Sequence, residues 1–274
     1  MSPSDERVSI IVPAFNAAAW ITHTLQSLQA QTHTDWEALV ADDASNDDTA
    51  EIVRSFGMRD ARVRHLRLPI NCGGPAGPRN FALAQTENSW VAFCDADDLW
   101  HPQKLELQLR AAQAASADLV CTAIRDFTPP RAPTADRTID LAAPLPVVRI
   151  GLWRMLGKNV IPGSSVLCRR SAIEQAGRFD TARDLIAVED YDLWLRLIER
   201  GAKVVKIELP LVHYRRLPSS LSARKWRMAR RALRALRRHF ARRGRNWLFP
   251  LVAPALMASY ALQAAYLRLW RGRL

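Results

Sequence analysis

Carboxylates collect in this chain at points where apolar runs stop. The stretch from Trp90 to Asp98 (WVAFCDADD) reads as a buried strand that ends on Asp95, Asp97 and Asp98. Carboxylates this close repel one another, so a fold that gathers them needs a cation or many hydrogen-bond donors. A divalent metal is one answer. A plainer one is a turn that begins at Asp95, with Asp98 capping the following helix. The run Glu37 to Asp43 (EALVADD) repeats the pattern and ends on Asp42 and Asp43. Glu189 and Asp190 differ in opening a helix, whose apolar face is Leu193, Trp194, Leu197 and Ile198. Acids in a first turn also complement the helix dipole, so this pair has a structural reading beside a chemical one.

The elements that must position these acids alternate. Val8 to Val12 predicts a first strand, and Asn16 an N-cap for a helix through Leu25 and Leu28. After the Glu37 strand, a helix carries Ile52, Val53 and Phe56, and Val63 to Leu68 is a third strand. The loop from Asn71 to Asn80 (NCGGPAGPRN) is too rich in Gly and Pro for a helix and lacks the Gly-Lys-Ser/Thr of a phosphate-binding loop, and a helix follows from Pro78 to Thr86. A helix from Gln103 to Ala115 and strands at 118–122, 164–168, 203–207 and 211–214 complete the pattern, with 125–149 read as a long loop over the surface. Strands alternating with helices predict an α/β fold with a mainly parallel, doubly wound sheet, whose ligands bind beyond the carboxyl ends of its strands. Asp42, Asp43, Asp95 and Asp97 all fall at that edge.

With 49% hydrophobic and 24% charged residues, the chain has the composition of a globular protein and excludes a disordered or fibrous one. Its four cysteines include no C-x-x-C pair, and its polar start carries no signal-peptide pattern, so a reducing cytosol is expected. The net charge of +12 is local: residues 224–274 hold 14 Lys or Arg and no acid, leaving 25 basic and 27 acidic residues before them. Within that tail Trp226, Ala229, Leu233, Leu236 and Phe240 form an apolar stripe on a basic amphipathic helix. Residues 247–267 carry no charge, but Pro250, Pro254 and Gln263 interrupt them and Arg flanks both ends, which favours an in-plane or re-entrant helix over a span. A helix packed on the α/β domain with its arginines in water stays open as the other reading.

In order and spacing, the motifs 8–16 (VSIIVPAFN), 40–49 (VADDASNDDT), Pro78-Arg79-Asn80, 93–98 (FCDADD) and 189–196 (EDYDLWLR) resemble the family 2 glycosyltransferases of GT-A fold, of the kind that builds bacterial cell-surface polysaccharides. The resemblance covers roughly residues 6–222. It implies a GT-A domain over 1–222, a membrane-associating helical tail over 223–274, and an inverting, metal-dependent transfer of sugar from a nucleotide-diphosphate donor. Pro13, Phe15 and Asn16 would line the nucleotide pocket, with Asp43 on the base and Asp42 near it. Arg79 would meet the nucleotide or diphosphate. Asp97 would ligate Mn²⁺ or Mg²⁺, with Asp95 beside it toward the ribose, and Asp190 would be the catalytic base. The acceptor would be a lipid-linked glycan or polysaccharide intermediate on the cytoplasmic face of the membrane. The protein would sit there as a peripheral or monotopic one, its tail on an anionic surface.

Ala44 stands where the family has Gly, a change suited only to a backbone outside positive φ. His101, His213 and Trp194 are expected to be structural. Two rival readings differ in class. A nucleotidyltransferase would carry a Gly-rich, Lys-containing phosphate grip after the first strand, and Pro13 to Asn16 is not one. A nucleic-acid-binding protein would work through the Arg-rich tail, but the apolar segment behind that tail favours lipid, and no nucleic acid is expected. On the glycosyltransferase reading, removal of 224–274 is expected to spare donor hydrolysis.

Overall fold

The structure is a computed structural model that describes residues 6–129, 137–217 and 225–271. In chain order it runs β1 (Val8–Ala14), α1 (Ile21–Gln29), β2 (Trp36–Asp42), α2 (Thr49–Arg59), β3 (Val63–Arg67), α3 (Ala76–Leu83), β4 (Trp90–Phe93) and β5 (Leu99–Trp100). It continues through α4 (Lys104–Ala115), β6 (Leu119–Phe127), β7 (Val147–Arg149), α5 (Leu152–Leu156), β8 (Leu167–Arg169), α6 (Arg170–Gln175), α7 (Glu189–Glu199) and β9 (Val204–Arg215). Two long helices, α8 (Lys225–Arg242) and α9 (Phe249–Arg271), end it.

The strands form one sheet in the order β3-β2-β1-β4-β8-β6-β9-β5, with β7 also on β9. Pairing is parallel from β3 through β4 and again between β6 and β9, while β8, β5 and β7 run against their neighbours. The mainly parallel α/β sheet read from the sequence is therefore what folds. Alternation along its strands makes two cores. Ile11, Leu39, Val91 and Phe93 face one side, under α3 and α5–α9, whereas Ile10, Val12, Ala38, Val40 and Ala92 face the other, under α1, α2 and α4.

Several boundaries differ from the sequence reading. Asn16 caps no helix: its φ is +49°, and α1 starts only at Ile21. Asp98 caps none either, since Gln103 precedes α4 and the Asp98 carboxylate is buried. The two short strands expected at 203–207 and 211–214 are one strand, carried past Pro210 by register shifts against β6. The expected long loop at 125–149 shrinks at both ends, to β6 and β7, and its stretch 130–136 lies outside the described residues. The expected domain boundary at 222/223 lies in another such stretch, 218–224.

The apolar stripe of α8 faces inward. Ala229, Ala232, Ala235, Leu236 and Phe240 join the core under α7, Leu233 packs partly against it, and Trp226 stays 59% exposed. Arg238 binds Asp180 and Asp184, and Arg242 reaches Asp192 and Glu199. The packed-helix reading thus describes α8, while Arg227, Arg230, Arg234 and Arg237 line its exposed face. Among the described residues no helix is long and apolar enough to cross a membrane.

Candidate active site

Parallel strands end together, so the residues just beyond β1, β2 and β4 meet at one edge. Pro13, Phe15, Asn16, Asp43, Arg79, Asp95, Asp97 and Asp190 all line one cleft there, of about 1060 Å³. Asp42 does not line it. Its carboxylate is fully enclosed and accepts hydrogen bonds from Ser45 N, His65 Nε2 and Arg67 Nη1. Burial opposes that charge, but these donors hold the Asp42 carboxyl below its usual range. Asp42 therefore anchors the loop that presents Asp43, whose Oδ1 accepts from Cys72 N and whose backbone carbonyl accepts from Asn71 Nδ2.

The loop beyond β1 interlocks with the loop beyond β2. Asn16 N donates to Ser45 Oγ and Asn46 N to Asn16 Oδ1, at 3.0 Å each. Asn16 and Ala44 both sit at positive φ, the latter at +58°, so the condition that would make alanine comfortable at 44 is not met. Phe15 is left 51% exposed on the cleft, available to stack on a planar ligand.

Arg79, near the start of α3, is only 4% exposed. Its Nη2 donates to Asp95 Oδ1 and its Nη1 to Glu189 Oε1, each at 2.7 Å. Burial opposes the charged guanidinium, yet Asp95, Glu189 and Asp190 outweigh it and hold the group charged. Both terminal nitrogens are engaged by carboxylates, and Arg79, which lines the cleft, ties the strand-end acids to the first turn of α7.

Beside it, burial and then Glu189 push the Asp190 carboxyl up to about 7, against Arg79 and the Tyr191 amide. Asn159 Nδ2 donates to Asp190 Oδ2 at 3.3 Å. At neutral pH such a group can take or give a proton. Burial and then Asp95 raise Asp97 to about 6, and Arg215 pulls the other way. Arg215 also fixes this turn, its Nε donating to the Asp97 carbonyl and its backbone amide to Asp98 Oδ1. Asp98 is a buried strut of the turn that carries Asp97.

An acid raised by burial and by a neighbouring carboxylate, as Asp97 is by Asp95, suits a shared cation. Among the described residues no three metal-ligating side chains converge. The protein could supply Asp97 and Asp95, with substrate phosphates and water completing the shell, the pattern Mg²⁺ accepts.

His101 and His213 are buried, His101 with its ring nitrogens on Arg137 O and Gln103 N. Trp194 lies in the core, 6.2 Å from the rings of both Phe93 and Phe179. The sequence reading passed over Lys158, Asn159, Lys206, Arg216, Met228 and Tyr260, which also line the cleft. They lie on five separate segments, and no local motif marks them.

Residues 9–177 match the profile of Glycosyl transferase family 2. The chain belongs to that family. A glycosyltransferase of Bacillus subtilis named for teichuronic acid biosynthesis, TuaG, is 31% identical over 82% of this chain and 84% of its own. Escherichia coli WfaP, named as a UDP-Glc:α-D-GlcNAc-diphosphoundecaprenol β-1,3-glucosyltransferase, is 27% identical over 81% of this chain and 82% of its own. Among solved structures, a Staphylococcus aureus TarS fragment in complex with UDP-GlcNAc superposes with a TM-score of 0.68 at 20% identity, covering 85% of this chain and 66% of that one. A mannosyltransferase of Pyrobaculum calidifontis, in complex with GDP-Man and Mn²⁺, gives 0.63 at 22% identity, covering 94% and 75%. This family 2 chain is thus a glycosyltransferase of GT-A fold, of the bacterial cell-surface polysaccharide type.

Proposed function

We propose that this glycosyltransferase moves a sugar, with inversion and with a divalent cation, from a nucleoside-diphosphate donor to a lipid-linked glycan or polysaccharide intermediate. The observation that carries the reading is that Asp190, raised to about 7, lines the same cleft as Asp95 and Asp97. Phe15 and Pro13 offer the nucleobase a stacking wall, and Asp43 an acceptor oxygen for a base N–H. Asp97 and Asp95 would hold Mn²⁺ or Mg²⁺, which supplies charge to offset the leaving diphosphate. Asp190 removes the proton from the acceptor hydroxyl as that oxygen attacks the anomeric carbon. Glu189 is 3% exposed and bound to Arg79, which disfavours it as a covalent nucleophile and supports a single inverting displacement.

The relatives' names supply the acceptor class, WfaP a diphosphoundecaprenol-linked sugar and Staphylococcus aureus TarS a poly(ribitol-phosphate). The exposed arginine face of α8, with Trp247 and Leu251 exposed nearby, fits an anionic membrane surface on its cytoplasmic side. Release of nucleoside diphosphate across a panel of nucleotide sugars, with Mn²⁺ and with EDTA, tests the reading. One donor should be turned over only with metal, and Asp97→Ala should lose metal-dependent donor binding. Equal turnover in EDTA would refute the metal assignment, and no turnover of any donor the function itself.

A further inference from the structure

The cleft changes sign across the sheet. On its β2, β1 and β4 side it is lined by Asp43, Asp95 and Asp97; farther along the strand order, past β8, lie β6 and β9, and the charges there are basic. Lys206 is on β9 opposite Cys121 of β6, and Arg216 follows the end of β9, its backbone amide donating to Phe127 O at 2.8 Å. Lys158 stands in the loop after α5, one residue before Asn159, whose side chain binds Asp190. All three line the cleft.

These cations are poorly balanced. Arg216 has Asp126 at 2.9 Å, but among the described residues neither lysine has a carboxylate within ion-pairing distance. Partial burial, then Lys206 and Arg216, hold the Lys158 ammonium below its usual pKa against the pull of Asp126, so Lys158 senses both other cations. Gathering like charges in a cleft is unfavourable unless an anion joins them.

We propose that Lys158, Lys206 and Arg216 form an anion subsite on the acceptor side of the cleft, which binds a phosphate or diphosphate group of the acceptor while Asp190 faces its hydroxyl. The inference rests on the glycosyltransferase reading and adds to it the group by which the acceptor is recognised. It accounts for a cleft-lining lysine one residue from Asn159, the partner of Asp190.

The test compares two acceptors, a glycosyl diphosphate on a short alkyl chain and the same alkyl glycoside without phosphate. In the double variant Lys158→Met, Lys206→Met, loss of the charge-assisted contacts should raise KM for the diphosphate acceptor about tenfold or more. KM for the phosphate-free acceptor and for the donor should stay within about twofold of wild type. The double Lys→Arg variant should restore the diphosphate KM, which separates charge from folding. An unchanged diphosphate KM, or a donor KM that rises in parallel, overturns the proposal, the latter by giving the cations to the donor. Calorimetric binding of inorganic pyrophosphate in EDTA reads the subsite without catalysis. It should weaken about tenfold in the Met variant, and unchanged binding overturns the subsite even if no donor is ever turned over, an outcome that would separately defeat the function.

Discussion

Replacing Asp190 by Asn separates catalysis from stability. The carboxyl is raised from 3.8 to about 7, chiefly by burial and then by Glu189. Between those values the folded chain keeps a proton that the unfolded chain has released, so stability falls as pH rises through the window, by about 1.4 kcal/mol per pH unit. The whole window is on the order of 4 kcal/mol, and the part between pH 5 and 7 about 2–3 kcal/mol. An Asn at 190 carries no such proton. Asp190→Asn should therefore hold, at pH 8, about 2–3 kcal/mol of stability that the wild type loses between pH 5 and pH 8. Its kcat should meanwhile fall about 10²–10⁴-fold, the usual contribution of a general base. Wild-type kcat should rise about tenfold per pH unit below about 7 and level off above it. Metal-free urea unfolding at pH 5 and 8, with steady-state rates from pH 5.5 to 8.5, reads both effects. A variant whose stability tracks the wild type at both pH values, or a wild-type kcat flat between pH 6 and 8, would refute the assignment.

Other perturbations have distinct signs. Arg79→Met leaves Asp95 and the buried Glu189 without their shared cation, and should cost about 3–5 kcal/mol at pH 7, measured by denaturant unfolding. Ala44→Gly relieves a left-handed backbone worth about 1–2 kcal/mol and gives back part of it as chain entropy, for a net gain of about 0.5–1 kcal/mol and a rise of about 2 °C in Tm. Removal of residues 224–274, expected from sequence to spare donor hydrolysis, strips Ala229, Ala232, Ala235, Leu236 and Phe240 from the core and Met228 and Tyr260 from the cleft. The truncated chain should therefore aggregate or melt at least 10 °C lower by calorimetry, roughly, as a loss of several buried side chains implies.

How much of this was legible depends on how far apart the interacting residues are. β2 and β4 are apolar runs that stop on acids, so strands and strand-end carboxylates could be read together from one short window. β9 could not, because Pro210 looks like a terminator until the irregular pairing with β6 carries the strand past it. Asn16 has the side chain of an N-cap, and only its contacts with Ser45 and Asn46 reveal a positive-φ loop. Arg79 was legible as a basic residue at a helix start, but its role turns on Glu189, 110 positions away. The orientation of α8 was open for the same reason: a narrow apolar stripe fits lipid or protein equally until Asp180, Asp184 and Glu199 claim its arginines.

Arg79 also accounts for how the cleft holds its charge. It serves Asp95 with one nitrogen and Glu189 with another, while among the described residues neither Asp97 nor Asp190 has an ion pair of its own. Those two acids are the ones pushed up, to about 6 and about 7. Had Arg79 paired with Asp190 directly, it would have pulled that carboxyl toward the ordinary range and weakened it as a base. By pairing with the neighbour instead, it fixes the first turn of α7 while Glu189 helps raise Asp190. The same division leaves Asp97 short of positive charge on the strand-end side, while Lys158, Lys206 and Arg216 leave the β6 and β9 side short of negative charge. Under the proposed reaction each deficit has its own remedy, a divalent cation for the first and a phosphate group for the second. Asp190 is linked to both sides, held by Asn159 next to Lys158 and raised in part by Asp95, as a base serving the acceptor hydroxyl would be.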